Sequence, residues 1–199
     1  MLEHLPQWLG RLLHGVRAGH AGLAVAKLGK EELAGKGGFK LTSPAFEDGG
    51  LLDPSFTADE EDAVAPPIEW TSPPPGTQEL ALVVEDPDAP AAEPFCHWLV
   101  WGLAPNKGRI LEGEAPPRTG KNSYGNSEWL LPDPPTGHGS HNYVFQLFAL
   151  DLPLTLAPGA TRADLLEAME GHVLAVAVLT GTYAREDGGE YDPDADAED

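Results

Sequence analysis

Cysteine is almost absent from this chain, since Cys96 is the single cysteine among 199 residues. An internal disulfide is therefore excluded, and the composition fits a reducing compartment. Basic residues are scarce as well: 12 Lys and Arg stand against 32 Asp and Glu, which gives a formal net charge of −20. A surface of that charge repels nucleic acid and anionic membranes, so neither is expected as a partner.

Long apolar runs and common catalytic motifs are also missing. No stretch approaches the ~18 consecutive apolar residues of a transmembrane helix, so stable membrane insertion is not expected. Residues 1–20 lack the basic segment and the uninterrupted apolar run of a signal peptide, which favours a cytoplasmic location. The chain has no G-x-S-x-G nucleophile elbow and no HExxH motif.

Glycine and proline, in contrast, are abundant, and they indicate many turns rather than a helical bundle. Gly 23 and Pro 20 together make up about a fifth of the chain. Apolar strands are predicted at 79–85, 97–103, 141–151 and 172–185, extended segments at 39–46 and 66–70, and a capped helix at 161–171. Strands covered on both faces predict a mainly β protein, a sandwich of two sheets in one domain over residues 23–185.

The two ends of the chain differ from this β-rich body. Residues 1–22 are predicted to form an amphipathic helical extension that packs on the body or on a second copy of the chain, as a homodimer. Its apolar positions are Leu5, Trp8, Leu9, Leu12, Leu13 and Val16. Residues 186–199 hold eight acids and are predicted to form an acidic disordered tail.

Acidic, imidazole and phenol side chains gather at the predicted strand ends. Asp86 and Asp88 follow the first buried strand, and His97 opens the next one. His141 opens the third, with Tyr143 on the same face by the two-residue period of a strand. If these strand ends lie side by side, they form a small pocket at the rim of the sandwich.

The chemistry of such a pocket suits a phosphate-type anion. A carboxylate beside a histidine favours the charged imidazolium, and imidazolium and tyrosine hydroxyl both donate hydrogen bonds. Backbone N–H groups of the turn around Gly137 would add donors. A second carboxylate would receive an amine, so a zwitterionic head group such as phosphoethanolamine would match both signs. The walls would be prolines, namely Pro87, Pro90, Pro134 and Pro135.

Three other interpretations of these residues stay open. Two Asp and two His are also a ligand set for a divalent metal. Asp, His and Tyr together are able to carry out acid–base chemistry. Asp–Pro turns and strand-end histidines also occur where they only satisfy backbone groups.

Two local predictions concern the strand that begins at His97. The two-residue period places His97, Leu99 and Trp101 on one face. The crossing before this strand carries Ala89–Pro90 and Glu93–Pro94. A tight reversal there predicts at least one cis bond, because cis costs only about 0.5–1 kcal/mol at X–Pro.

Three stretches follow one another along the chain: DPDAP (86–90), HWLVWGL (97–103) and DPPTGHGSHNYVFQLFAL (133–150). They follow the pattern of a D-P-D-x-P turn, an H-x-L-V strand and a P-P-x-G…H-x-Y-x-F strand. This pattern resembles the phosphatidylethanolamine-binding protein family, most closely its bacterial Raf-kinase-inhibitor-like branch. The likeness covers roughly residues 38–185.

The resemblance implies a β-sandwich of one large and one small sheet with peripheral helices. It also implies a pocket that accepts phosphate or a phospholipid head group. Positions that match the family's pocket are Asp86, Asp88, His97, His141, Tyr143 and Pro135, with Trp129 where an aromatic side chain lines the mouth. Asp133 departs from the pattern, since many members have glycine there, and its carboxylate would repel an anion or attract an amine.

We therefore expect a non-enzymatic protein, without a cofactor, that binds phosphate-type anions or phosphoethanolamine-like head groups. One alternative is a protein-interaction module that inhibits a protease or a kinase, as the resemblance also implies. The other is a metal-dependent hydrolase.

Overall fold

Two β-sheets form the body of the protein, as the sequence predicts. The computed structural model describes residues 17–185. Within this range the large sheet has the strand order β2-β9-β8-β4-β5-β7 and the small sheet the order β1-β3-β6. The strands are β1 (Leu41–Thr42), β2 (Gly50–Leu51), β3 (Ile68–Trp70), β4 (Glu79–Asp86), β5 (Phe95–Leu103), β6 (Gly108–Ile110), β7 (Arg118–Thr119), β8 (His141–Leu150) and β9 (Val173–Tyr183). Neighbouring strands are antiparallel except for β2 and β9.

Strand β4 is apolar on both faces because it lies between two cores. Leu80, Leu82 and Val84 face the inter-sheet core, which they share with the small sheet. Ala81 and Val83 face the helix-side core on the opposite surface of the large sheet. A strand covered on both sides has no solvent face, so its sequence shows a continuous apolar run instead of an alternation.

In the described part of the chain, two α-helices lie against the helix-side core. They are α1 (Ala24–Leu28) and α2 (Arg162–Met169), and short 3₁₀ turns occur at His20–Gly22, Glu31–Leu33, Lys36–Gly38 and Pro54–Phe56. The predicted capping box of α2 is confirmed, with the Thr161 and Asp164 side chains each bonding the other's backbone N–H. No helix within residues 17–185 is long and apolar enough to cross a membrane.

The N-terminal segment is held to the sheet by buried acceptors. The N–H of Ala24 donates to Oε2 of Glu85 at 2.8 Å, and that of Val25 donates to Oε1 of Gln146 at 2.7 Å. Helix α1 was not predicted. Most of the predicted helix over residues 1–22, and the whole predicted acidic tail over residues 186–199, lie outside the described residues.

The start of β5 contains a bulge that redirects His97. Strand β5 has one residue more than β4 between two successive pairs, and this extra residue is His97. An inserted residue reverses the alternation of side chains at that point. Leu99 and Trp101 therefore lie in the helix-side core, whereas the ring of His97 lies 5.0 Å from that of Tyr143, in the inter-sheet core. The prediction that His97 shares a face with Leu99 and Trp101 is wrong for this reason.

The crossing between β4 and β5 needs no cis bond. The peptide bonds of residues 17–185 include no cis bond, so the prediction for Ala89–Pro90 or Glu93–Pro94 is wrong. The crossing spans residues 87–94, and its first turn is closed by hydrogen bonds to the Asp86 carboxylate. A loop of this length reverses the chain with trans bonds throughout.

Candidate functional site

A cavity of about 430 Å³ opens where β4 ends and β5 and β8 begin. We call it the rim cavity. Its polar end holds carboxyl, imidazole and phenol groups, and its mouth is largely apolar and aromatic. Its lining includes Asp86, Phe95, His97, Tyr124, Glu128, Trp129, Leu130, Asp133, Pro134, Pro135, His141 and Tyr143.

The two carboxylate oxygens of Asp86 accept hydrogen bonds from different partners. Oδ1 accepts the backbone N–H of Asp88 at 2.7 Å and that of Ala89 at 3.0 Å, which closes the DPDAP turn. Oδ2 lies 2.7 Å from Nδ1 of His141. Because a carboxylate only accepts hydrogen bonds, Nδ1 of His141 carries the proton. The turn and the imidazole are therefore positioned by the same buried carboxylate.

The second nitrogen of His141 is also engaged by the protein. Its Nε2 lies 2.6 Å from Nδ1 of His138, which is fully buried. His138 is placed by a turn between Gly137 and Gly139, whose φ angles of 78° and 96° favour glycine. Asp86, His141 and His138 thus form a buried hydrogen-bonded chain. His138 was not predicted as a site residue, although the H-x-x-H spacing at 138 and 141 was the available signal.

Asp88 lies behind the cavity wall, not on it. Its Oδ2 accepts from the backbone and side-chain N–H groups of Asn142 at 2.8 and 2.6 Å, and its Oδ1 pairs with Arg17 at 2.7 Å. Burial raises the pKa of Asp88, but the Asn142 hydrogen bonds and the Arg17 charge outweigh burial and lower it overall. Asp88 is therefore an ionised group that ties the turn to β8 and to residue 17.

His97 presents a nitrogen without a partner. Its Nδ1 lies 2.6 Å from the carbonyl oxygen of Leu130, and its Nε2 is buried with no hydrogen-bond partner within residues 17–185. Burial lowers the pKa of His97, and this outweighs the opposing effect of Asp86. The expectation that a carboxylate neighbour keeps this histidine protonated is wrong, because Asp86 bonds His141 while His97 is desolvated.

Tyr143 supplies a hydroxyl donor beside His97. Burial, followed by the nearby carboxylates of Asp86 and Asp133, raises the pKa of Tyr143 well above its usual value. The phenol therefore keeps its proton at any physiological pH. A donor and an acceptor, the hydroxyl of Tyr143 and Nε2 of His97, thus belong to neighbouring rings at the polar end.

Aromatic rings form the wall and mouth of the cavity. Trp129 stacks on Phe145 at 5.9 Å, and its indole N–H donates to the carbonyl oxygen of Phe56 at 3.2 Å. Phe95 packs edge-on against Tyr124 at 5.4 Å. These contacts fix large apolar surfaces next to the polar end, as suits an amphiphilic small molecule.

The charges around the cavity are mostly negative. Asp86, Glu128 and Asp133 line it, and no lysine or arginine of the described range 17–185 is among its lining residues. Asp133 forms an ion pair with Arg185, which also bonds Asp59 at 2.9 Å. The charge of Asp133 is therefore matched inside the protein. Within residues 17–185, no group of three or more His, Cys, Asp and Glu side chains is arranged to hold a metal ion.

Six of the eight predicted site residues line the rim cavity, and two do not. Those that line it are Asp86, His97, Trp129, Pro135, His141 and Tyr143. Asp88 and Gly137 instead shape the two turns beside it.

Comparisons with known proteins agree with one another. Residues 42–184 match the family model described as phosphatidylethanolamine-binding protein. A UPF0098 protein of Methanothermobacter thermautotrophicus is 39% identical over 155 residues, which cover 73% of this chain and 98% of that protein. A Mycobacterium tuberculosis protein named as the lipoprotein LppC is 39% identical over 145 residues, or 72% of this chain and 71% of that one.

Solved structures agree with these sequence matches. The structure of CT736 of Chlamydia trachomatis, titled a phosphatidylethanolamine-binding protein homologue, superposes with a TM-score of 0.69 at 34% identity. The match covers 74% of this chain and 97% of that one. YbcL of Escherichia coli superposes with a TM-score of 0.66 at 24% identity, over 74% of this chain and 98% of that one, and shows the same fold.

Proposed function

This chain belongs to the phosphatidylethanolamine-binding protein family, and we propose that it binds a small phosphate-containing ligand in the rim cavity. The phosphoryl group would lie at the polar end, against Tyr143, His97 and the Asp86–His141 pair. An organic portion of the ligand would extend along the aromatic wall at Trp129.

The observation that carries this proposal is the division of the cavity into a polar end and an aromatic mouth. A volume of about 430 Å³ exceeds what a bare phosphate fills, so the ligand has a second part. The hydroxyl of Tyr143 is held protonated and is able to donate to a P–O⁻ group. Glu128 would accept an ammonium group, which favours a zwitterion such as phosphoethanolamine over a simple dianion.

The contacts of Asp86, His141 and Cys96 favour binding over catalysis. Asp86 and His141 have the arrangement of an orienting acid and a base, but Nε2 of His141 contacts His138 where a nucleophile would have to sit. Cys96 faces the helix-side core, and burial, with the charge of Glu85, raises the pKa of its thiol to about 12. A thiol with that pKa is not a nucleophile at neutral pH.

Calorimetric titration with phosphoethanolamine tests the proposal. We expect saturable binding that weakens at least about tenfold in Tyr143→Phe, because a hydrogen bond to a charged group is worth about 1.5–3 kcal/mol. Ethanolamine alone should bind far more weakly. The matched control is His172→Ala, at the opposite end of β8, where His172 pairs with Asp151 at 2.9 Å. Equal affinity for ethanolamine and phosphoethanolamine would overturn the proposal.

A further inference from the structure

We infer that His97 makes the rim cavity selective for anions that carry their own acidic proton. The class meant is phosphomonoester monoanions and inorganic phosphate, in preference to sulfate esters and phosphodiesters. The inference rests on the proposed function and deepens it, because an intact phospholipid is a diester and a free phosphorylated head group is a monoester.

The first step is the tautomer of His97. Its Nδ1 lies 2.6 Å from the carbonyl oxygen of Leu130, and a carbonyl oxygen only accepts hydrogen bonds. The proton of the neutral ring is therefore on Nδ1. This leaves a lone pair on Nε2, which is buried and has no donor among the described residues.

The second step is the charge of the ring. His97 is 3% exposed. It is surrounded by Phe95 on its own strand, Trp129 and Leu130 on the covering loop, Tyr143 and His141 on β8, and Asp86 on β4. Burial is the largest influence and lowers the pKa of His97. Asp86 and the hydrogen bond to Leu130 raise it, His141 lowers it, and the net shift is downward. Both oxygens of Asp86 already accept hydrogen bonds, from the turn and from His141. His97 accordingly stays neutral near neutral pH.

The third step is the ligand that completes this arrangement. A phosphomonoester monoanion has one P–OH and two further oxygens that share the charge. Its P–OH donates to Nε2 of His97, while a P–O⁻ oxygen accepts from the hydroxyl of Tyr143. No bond is made or broken, and the proton stays shared between ligand and imidazole.

Anions that lack an acidic proton cannot form a hydrogen bond to the lone pair on Nε2 of His97. A sulfate ester or a phosphodiester has only acceptor oxygens at neutral pH, so Nε2 would face one of them without a hydrogen between. Protonating the ring would remove the conflict, but burial opposes it. Sites built around a specific hydrogen bond reject analogues that lack it, because the buried polar group is left unpaired.

The test compares three ligands that share the ethanolamine group: phosphoethanolamine, ethanolamine O-sulfate and glycerophosphoethanolamine. At pH 6 we expect the monoester to bind at least about tenfold more tightly than the other two. Its affinity should fall as pH rises above about 6, where the second phosphate proton leaves. The preference over sulfate should shrink several-fold in His97→Phe and stay unchanged in His172→Phe, the control at the other end of β8.

Nitrogen NMR of the histidine rings gives a readout that needs no ligand. We expect His97 to show a protonated Nδ1 and an unprotonated Nε2 at pH 7, with Nε2 shifting when phosphoethanolamine binds. A doubly protonated ring, or equal affinity for monoester and sulfate, would overturn the inference and leave the proposed function standing. Failure of all three ligands to bind would overturn the proposed function and the inference with it.

Discussion

Glu85 and Asp86 are consecutive acids at the end of β4, both buried, and they point to opposite sides of the large sheet. Glu85 faces the helix side, where its carboxylate accepts from Arg162, from Nε2 of Gln146 at 2.8 Å and from the N–H of Ala24. Asp86 faces the rim cavity, where it holds a turn and His141.

The two sides differ in how completely their polar groups are satisfied. The hydrogen-bond partners of Glu85 are all protein groups, and no buried side-chain atom of that network lacks a partner. On the side of Asp86, Nε2 of His97 is buried without one. A saturated network stabilises the fold, whereas the unsatisfied acceptor on the cavity side is the group that the proposed ligand would complete.

The largest expected effect is on the saturated side. Glu85→Ala removes one partner of a buried ion pair and leaves Arg162 uncompensated, so we expect a loss of about 3–5 kcal/mol in the free energy of unfolding. Urea denaturation measures it. Glu93→Ala is the control, since Glu93 forms an exposed pair with Lys27, and it should change stability by less than about 0.5 kcal/mol. Equal losses in both variants would remove the contrast between the two sides.

On the cavity side, the expected effect is on binding more than on folding. His141→Ala should weaken phosphoethanolamine binding several-fold, because it breaks the Asp86–His141–His138 chain that shapes the polar end of the cavity, and not because a hydrogen bond to the ligand is lost. Asp86→Asn should weaken binding too, although it removes a negative charge, because an amide has a single acceptor oxygen and cannot serve both the turn and Nδ1 of His141. Asp151→Asn breaks the distant His172–Asp151 pair and should leave affinity unchanged. Tighter binding by Asp86→Asn would show that Asp86 does not act by orienting His141.

Stability should depend on pH through His97. Because burial lowers the pKa of His97, the unfolded chain binds more protons than the folded one below its ordinary value of about 6.5. The free energy of unfolding should therefore be fully maintained above that pH and fall as pH drops below it, by at most about 1.4 kcal/mol per pH unit. Urea denaturation at pH 8 and pH 5 measures the difference. A His97→Phe variant whose stability falls as steeply would assign the dependence to another group.

The smallest effect is expected at residue 17. Arg17 pairs with the ionised Asp88, but its side chain is 31% exposed. Arg17→Ala should cost only about 0.2–1 kcal/mol of stability, because exposed pairs are screened by solvent. Thermal unfolding together with phosphoethanolamine titration checks this. A tenfold loss of affinity with unchanged stability would show that the N-terminal segment shapes the cavity through the DPDAP turn.

The sequence alone determined the β-rich architecture. Local signals were sufficient for the long strands, since apolar runs between Gly and Pro turns predicted β4, β5, β8 and β9, and a capping box predicted α2. Short strands such as β2 and β7 escaped detection because two-residue segments carry no periodic pattern, and their pairing is made by distant partners. The motifs also identified the four residues of the polar end, Asp86, His97, His141 and Tyr143, because these residues sit at fixed offsets from strand ends.

Tertiary structure decided how those side chains are used. The bulge in β5 turned His97 toward Tyr143, which no two-residue period reveals, because a bulge is defined by the partner strand. Burial, which depends on the whole fold, outweighed the effect of Asp86 and lowered the pKa of His97. Glu85 and Arg162 pair across 77 positions of sequence. Hydrogen-bond partners and dielectric surroundings are properties of the packed chain. The sequence therefore identified the side chains of the polar end but did not reveal that Nε2 of His97 has no donor.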